Sequence, residues 1–334
     1  MDQLAALILA AGKGSRMNSD MPKVLHSVGR KPLLGHVISL TKSLQIAKLA
    51  IVTGHKSELI DMYIKEQKID AKCLKQARQL GTADAVKCTE KYFQNFQGYM
   101  LVLYGDVPFI KENTITKMLK ILKTGADLAV LGFNKSVPTG YGRLVVNSKG
   151  YLQKIIEEKS TNKAQKKITL CNSGVFCGEA DKIFSLVSKI GNNNSSKEYF
   201  LTDIFELATA QGLNTAIIEC TEGEAKGVNS RNDLAEAEIY FQNRLRNEAL
   251  NKGVTLLDPS TIYLSHDTNL EADIVIHPNV VFGENVEIKS GVEIFSFSHL
   301  EGCKIFGGAK IGPFARVRPK SIIKQSVKIG NFVE

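Results

Sequence analysis

The sequence lacks most of what would mark a membrane, secreted or nucleic-acid-binding protein. No apolar run approaches the roughly 20 residues that a membrane-spanning helix needs. Leu4–Ala11 is short and has no basic lead-in, so nothing reads as a signal peptide. Six cysteines (Cys73, Cys88, Cys171, Cys177, Cys220 and Cys303) lie far apart, with no Cys-x-x-Cys pair and no histidines at ligand spacing. That pattern argues for reduced thiols in a soluble cytoplasmic protein and against a disulfide framework or a zinc site. Charge is not gathered in blocks either: 43 Lys and Arg stand against 34 Asp and Glu, a net +9 spread along the chain. No helix carries a basic stripe interleaved with aromatics, so the excess suits anionic small substrates better than nucleic acid.

At 334 residues the chain exceeds one typical domain, and two domains with their own cores are expected. The stretch that stands out is Leu7-Ile8-Leu9-Ala10-Ala11-Gly12-Lys13-Gly14-Ser15-Arg16-Met17, with Lys23 following in Met21-Pro22-Lys23. A buried strand feeds a loop whose glycines let backbone N–H groups approach a phosphate, and Arg16 and Lys23 add charge there. It is not a Walker loop, which needs four residues between its glycines and then Gly-Lys-Ser/Thr, nor a dinucleotide fingerprint, whose third glycine is replaced by Met17. A Gly-x-Gly after a strand also fits a plain tight turn; the downstream cations favour phosphate.

From the N-terminus to about Val228, strand-like and helical runs alternate. Leu4–Ala10, Leu49–Val52, Tyr99–Tyr104 and Asp127–Phe133 read as strands; Leu33–Leu44, Glu58–Gln67 with Ser57 as its cap, Thr82–Phe93 and Glu112–Leu122 read as helices. This rhythm predicts a mainly parallel sheet covered on both faces, with ligands beyond the carboxyl ends of its strands. Three pieces fall at strand ends: Gly105-Asp106-Val107-Pro108, Gln76–Thr82, and Thr139-Gly140-Tyr141-Gly142-Arg143 opening a hairpin around Asn147–Gly150. Taken singly, each fits an ordinary turn or cap as well as a site.

Arg231–Ala249 reads as a long charged helix, either a spacer or a packed final helix. Beyond Gly253 the period becomes six: Ile276, Phe282, Ile288, Ile294 and Leu300, then after a step of five Ile305, Ile311, Val317, Ile323 and Ile329. That is the pattern of a parallel β-helix with three short strands to a coil, usually left-handed despite the right-handed crossover preference. The repeat stops without a capping helix or a polar last coil, which reads as a truncated chain.

With these pieces assembled, the whole chain resembles the bacterial bifunctional UDP-N-acetylglucosamine pyrophosphorylase / glucosamine-1-phosphate N-acetyltransferase family. The resemblance rests on Leu9–Met17 with Pro22-Lys23-Val24-Leu25-His26, Gln79-Leu80-Gly81-Thr82, Tyr104–Pro108, Pro138–Arg143, Asn172-Ser173-Gly174 and Gly227-Val228-Asn229. It implies an α/β Rossmann-like nucleotidyltransferase domain over residues 1–228, a linker helix over 229–251, and a partial left-handed β-helix of hexapeptide repeats over 252–334. The implied reaction is Mg²⁺-dependent, in-line uridylyl transfer from UTP to N-acetylglucosamine 1-phosphate, releasing pyrophosphate. It further implies Asp106 and Asn229 as metal ligands, and Leu9, Ala10, Ala11, Gly12, Gln76, Gly81 and Thr82 as the UTP site. Gly142, Glu157, Asn172 and Asn229 would grip the sugar phosphate, while Arg16 and Lys23 act on the phosphates. Family β-helices form homotrimers; neither nucleic acid nor membrane is an expected partner.

Two departures qualify the resemblance. Lys226 stands just before Gly227-Val228-Asn229, where the family carries an acidic residue. The family's acetyl-transfer histidine lies on later coils; Arg318 matches an early phosphate-binding arginine, but His266, His277 and His299 do not match the base. Acetyltransferase activity is therefore expected to be absent. The alternatives are a hexapeptide-repeat acetyltransferase acting on glucosamine 1-phosphate, or a non-catalytic assembly subunit. Intact Arg16, Lys23, Asp106 and Asn229 argue against the latter.

Overall fold

A computed structural model describes residues 3–194 and 196–333. Its chain divides into two compact units, one comprising Met1–His26 with Pro32–Asp233 and the other Ser27–Lys31 with Leu234–Glu334.

Among the described residues of the first unit, nine strands share one sheet. They are β1 (Gln3–Leu9), β2 (Lys48–Thr53), β3 (Lys72–Lys75), β4 (Gly98–Tyr104), β5 (Leu128–Asn134), β6 (Arg143–Val146), β7 (Leu152–Ile156), β8 (Leu170–Glu179) and β9 (Thr215–Cys220). The order is β9-β5-β8-β4-β1-β2-β3, with the β6–β7 hairpin joined to β8. β1 is parallel to β2 and β4, and β9 to β5, whereas β8 runs antiparallel to β4 and β5. The sheet is thus mainly parallel, with β8 and the hairpin as its antiparallel insertion. Alternation along β1 shows why it is central: Ala5, Leu7 and Leu9 enter one apolar cluster, Ala6, Ile8 and Ala10 the other, and all are buried. Such a strand must be covered on both faces.

Local differences from the sequence reading have physical causes. The expected helix Thr82–Phe93 is two helices, Thr82–Lys87 and Glu90–Phe93. They part at the fully buried Thr89, whose hydroxyl donates to the Val86 carbonyl at 2.7 Å and competes with the helical ladder. Ser57 does not cap its helix but opens it, behind Lys56 in left-handed conformation. The edge strands β3 and β9 and the helix Ala180–Val187 were not anticipated; β3, Lys-Cys-Leu-Lys, carries edge lysines rather than an apolar run.

The second unit is a left-handed parallel β-helix. Its two-residue strands stack in three parallel ladders, for example Ile276, Ile294, Ile311 and Ile329 on one face. Left-handed corners recur at Asp273, Asn279, Asn285, Gly291, Phe297, Gly302, Gly308, Phe314, Lys320, Ser326 and Phe332, every sixth residue except one step of five. That step shortens one coil from 18 residues to 17, as the pairs Val275–Glu293 and Glu287–Lys304 show. The shortening is absorbed at Gly302, where a Cβ would stand 2.9 Å from Pro319 Cα. Helix Arg231–Asn251, for which the sequence leaves a spacer and a packed final helix both open, packs by its second half on the first coil. Gln242 exchanges hydrogen bonds of 2.7 and 2.8 Å with the Leu264 main chain, and Arg246 Nε donates to Ile262 O at 2.8 Å. The turn Ser27–Lys31 joins this unit through Gly29, whose amide donates to Glu238 Oε2 at 2.7 Å and whose carbonyl accepts from the His266 amide at 2.9 Å.

Candidate active site

Parallel pairing sets the carboxyl ends of β1, β2, β3 and β4 side by side: Leu9 lies opposite both Val52 and Tyr104, and Thr53 opposite Lys75. From Leu9 the chain passes through Ala10, Ala11 and Gly12. The first three are buried, but a Cβ on Gly12 would meet nothing within 4 Å, so its backbone faces open space. Gly14 then adopts the left-handed region and opens a single turn of 3₁₀ helix, Ser15–Met17. A Cβ there would lie 2.7 Å from Lys23 Cβ; glycine is what lets the turn bearing the exposed Arg16 rest on the turn bearing Lys23. Gln79 Nε2 donates to Ala11 O at 2.7 Å, and a Cβ at Gly54 would intrude on both partners.

Three sequence-predicted residues converge from distant parts of the chain. Lys23 Nζ donates to Asp106 Oδ2 and, at 2.8 Å, to Asn229 Oδ1. Asp106 sits on the turn after β4, and its carbonyl accepts from Val228 N at 2.9 Å, stitching the Gly227-Val228-Asn229 segment to that turn. Asp233 fixes the same segment from the other side, accepting from Asn229 N at 3.0 Å and Ser230 N at 2.9 Å, a cap at the start of the long helix.

Beside this triad are two further groups. Gln76 is buried, and both hydrogens of its amide are used, Nε2 donating to Gly81 O at 3.0 Å and Asp84 Oδ2 at 2.7 Å. Gly81, at φ 122°, lies against the Tyr199 backbone, and Thr82 Oγ1 accepts from Leu201 N at 3.0 Å. On the other side Thr202 Oγ1 donates to Glu157 Oε1 at 3.0 Å, and Asn172 N donates to Gly142 O at 2.9 Å. Buried Arg143 pairs with Glu158 at 2.7 Å and so holds the loop that carries Glu157. Between the groups lies Tyr104: removal from solvent, then the carboxylates of Glu157 and Asp106, drive its phenol well above the ordinary range, opposed by a hydrogen bond with Thr82. Gly174, at φ 87°, makes room for that ring, since a Cβ would stand 2.7 Å from Tyr104 Cε2.

A cleft of about 500 Å³ opens beside Glu157, lined among others by Ile156, Phe200, Asp203 and Glu206. Burial, then Glu206 and Glu157, raises the Asp203 carboxyl. Among the described residues no three His, Cys, Asp or Glu side chains cluster as a metal cage. Any ion at Asp106 and Asn229 would therefore complete its shell with water and substrate oxygens. Arg318 belongs to the second unit.

Residues 6–168 match the family model described as a MobA-like NTP transferase domain. The chain is 44% identical over 330 residues to the bifunctional protein GlmU of Roseobacter denitrificans, covering 99% of this chain and 73% of that protein. The chain belongs to the GlmU family. It is likewise 41% identical to GlmU of Zymomonas mobilis, covering 99% of this chain and 74% of that protein. A Bacillus anthracis crystal structure named as a glucose-1-phosphate thymidylyltransferase shares the fold, with a TM-score of 0.56 at 21% identity, over 71% of this chain and 94% of that one. Membership makes the chain a nucleotidyltransferase acting on small molecules. No described helix is long and apolar enough to cross a membrane.

Sequence reasoning gave no role to Gln79, Tyr104, Gly54 or Asp233. Gln79 and Tyr104 stand inside motifs that could be quoted from the sequence, but only the fold shows that one braces Ala11 and the other hydrogen-bonds Thr82 within the field of Glu157. Gly54 and Asp233 leave no signal beyond a turn glycine and a capping carboxylate.

Proposed function

We propose that the chain forms UDP-N-acetylglucosamine and pyrophosphate from UTP and N-acetylglucosamine 1-phosphate. The observation that carries this reading is the meeting of Lys23, Asp106 and Asn229 beside the open backbone at Gly12. A phosphate oxygen of the sugar phosphate attacks the α-phosphorus of UTP; the new P–O bond forms as the bond to the β-phosphate oxygen breaks, and the electron pair leaves with pyrophosphate. No protein nucleophile is needed, so the protein's work is alignment and neutralisation of charge.

The residues fit these tasks. Gln76 has no free amide hydrogen, so it meets a base through Oε1, an acceptor suited to the N3–H of uracil and unsuited to the N3 lone pair of cytosine. Gly81 and Thr82 flank that position, and Leu9 to Gly12 supply the backbone beneath the nucleotide. Glu157, Asn172 and Gly142 form the sugar side, with the cleft beyond Glu157 leaving room for the acetamido group. Arg16 and Lys23 lie where negative charge builds on the leaving pyrophosphate. Asp106 Oδ2 and Asn229 Oδ1 already converge on one cation, the Lys23 ammonium, and this hard oxygen pair suits Mg²⁺. When bound there, Mg²⁺ would neutralise phosphate charge; Lys23 would then be released from the pair to meet the phosphates itself.

Coupled pyrophosphate release with four NTPs and three sugar 1-phosphates tests the reading. UTP with N-acetylglucosamine 1-phosphate should be the best pair, and another best pair overturns the substrate assignment. Acetyl-CoA with glucosamine 1-phosphate should yield no product, because none of His266, His277 and His299 matches the family's acetyl-transfer base. The β-helix is the surface through which we expect a homotrimer; light scattering at one-third of the trimer mass would refute it.

A further inference from the structure

Arg231 is the second residue after Asn229 and the first of the long helix. Its guanidinium reaches back across more than 200 residues of sequence to two places. Nε donates to the carbonyl of Met17 at 3.1 Å, and Nη1 donates to His26 Nδ1 at 3.2 Å. Met17, buried to 1% exposure, closes the turn Ser15–Met17 that carries Arg16; His26, buried to 3%, closes the turn Lys23–Leu25 that carries Lys23. One planar fork therefore holds the ends of both turns that bear the phosphate-facing cations, and does so from the segment that presents Asn229.

The chemistry of the second bond is specific. Arginine has only donors, so His26 Nδ1 must accept and the proton resides on Nε2 of the buried ring. Burial and the Arg231 charge both lower the His26 pKa, keeping the ring in the neutral form that the bond requires. His26 is held further by its backbone, the amide donating to Lys23 O at 3.2 Å and the carbonyl accepting from Leu33 N at 2.9 Å.

We propose that Arg231 is a positioning residue for nucleotidyl transfer, fixing Arg16 and Lys23 relative to Asn229 through Met17 and His26. It does not touch the reacting atoms. The proposal rests on the function proposed above for its kinetic consequence, but not for the clamp itself. Lysine cannot replace it, because an ammonium is a point donor and cannot span both acceptors in one plane.

The test uses the full chain with Arg231→Ala and Arg231→Lys, read by amide hydrogen exchange without substrate and by steady-state kinetics. Exchange should rise in peptides covering residues 14–18 and 23–26 while β5 and β8 stay protected. With UTP, kcat should fall by roughly 10- to 100-fold with KM changed less than about threefold, since small misplacements of reacting groups cost rate rather than binding. Unchanged exchange at both turns overturns the clamp. Faster exchange with wild-type kcat overturns the catalytic consequence. If Arg231→Ala raises exchange throughout the first unit, Arg231→Lys decides between the same outcomes. A wild-type chain inactive with UTP would sink the substrate assignment, leaving the exchange result to judge the clamp alone.

Discussion

In the β-helix, residues that pair across neighbouring strands are 17 or 18 apart in sequence, as Val275 with Glu293 and Glu293 with Lys310. In the α/β unit the residues that meet at the candidate site are 83 and 206 apart, Lys23 with Asp106 and Lys23 with Asn229. The first arrangement is made by repetition: each coil buries the next, and no single residue is special. The second depends on a few points, each held by separate turns, caps and glycines. Damage should accordingly appear as lost stability in one unit and lost turnover in the other.

The largest effect expected is at Asp106. Replacing it with alanine removes one of the two oxygens that meet the Lys23 ammonium from a solvent-reachable turn, so turnover should fall at least a thousandfold, about 4 kcal/mol of barrier. The melting temperature should move little. Near-normal kcat at saturating Mg²⁺ would erase the contrast between the two units. In the β-helix, Ile294→Ala should do the reverse. Ile294 is fully buried between Ile276 and Ile311, and the cavity should cost about 2–5 kcal/mol of stability while leaving kcat at 20 °C within about twofold. Urea melts followed by probes in each unit would show whether the loss stays in the coil stack.

An intermediate case lies at Gly174, where fold and site meet. Alanine at φ 87° carries a left-handed penalty of about 1–2 kcal/mol, and its Cβ would press on the Tyr104 ring at 2.7 Å. Displacing Tyr104 disturbs its hydrogen bond with Thr82 beside Glu157, so kcat/KM should fall about tenfold for the sugar phosphate, with a modest loss of stability. Unchanged kinetics would mean that Tyr104 serves only packing.

The same contrast governs what could be read without coordinates. The aliphatic period of six, including its one step of five, passed directly into strands and corners, because each coil repeats one local rule. The alternation of strands and helices was legible up to the short edges, β3 with only two apolar residues and β9, Thr-Ala-Ile-Ile-Glu-Cys, with no alternation to mark it. At the site, residue types at strand ends were visible, but not that Gly14 must be glycine to admit Lys23, nor that the Lys23 ammonium bridges Asp106 and Asn229. Those facts depend on the packing of turns remote in sequence, which no local pattern encodes. Arg231 was visible only as the start of a charged helix.

The smallest effect expected is one the two units share, and histidine is its cause. Burial first, then the charge of Arg231, lowers His26 in the α/β unit; burial first also lowers His266 and His299 in the β-helix, with Arg30 adding to the effect at His299. An unfolded histidine titrates near about 6.5. Between that value and the lower native ones the unfolded chain binds more protons, so the slope of unfolding free energy against pH is positive and stability falls as pH drops. Glu293, lowered by its Lys310 hydrogen bond, shifts stability only below the ordinary glutamate value of 4.5 and stays outside a comparison of pH 7.5 with pH 5.5. Urea midpoints should therefore decline modestly over that window in both units. His299→Asn should flatten the decline only for probes in the β-helix, while His26→Gln should flatten it only for probes in the α/β unit. Stability that rises toward pH 5.5 would mean that these rings gain partners on protonation, contrary to their burial.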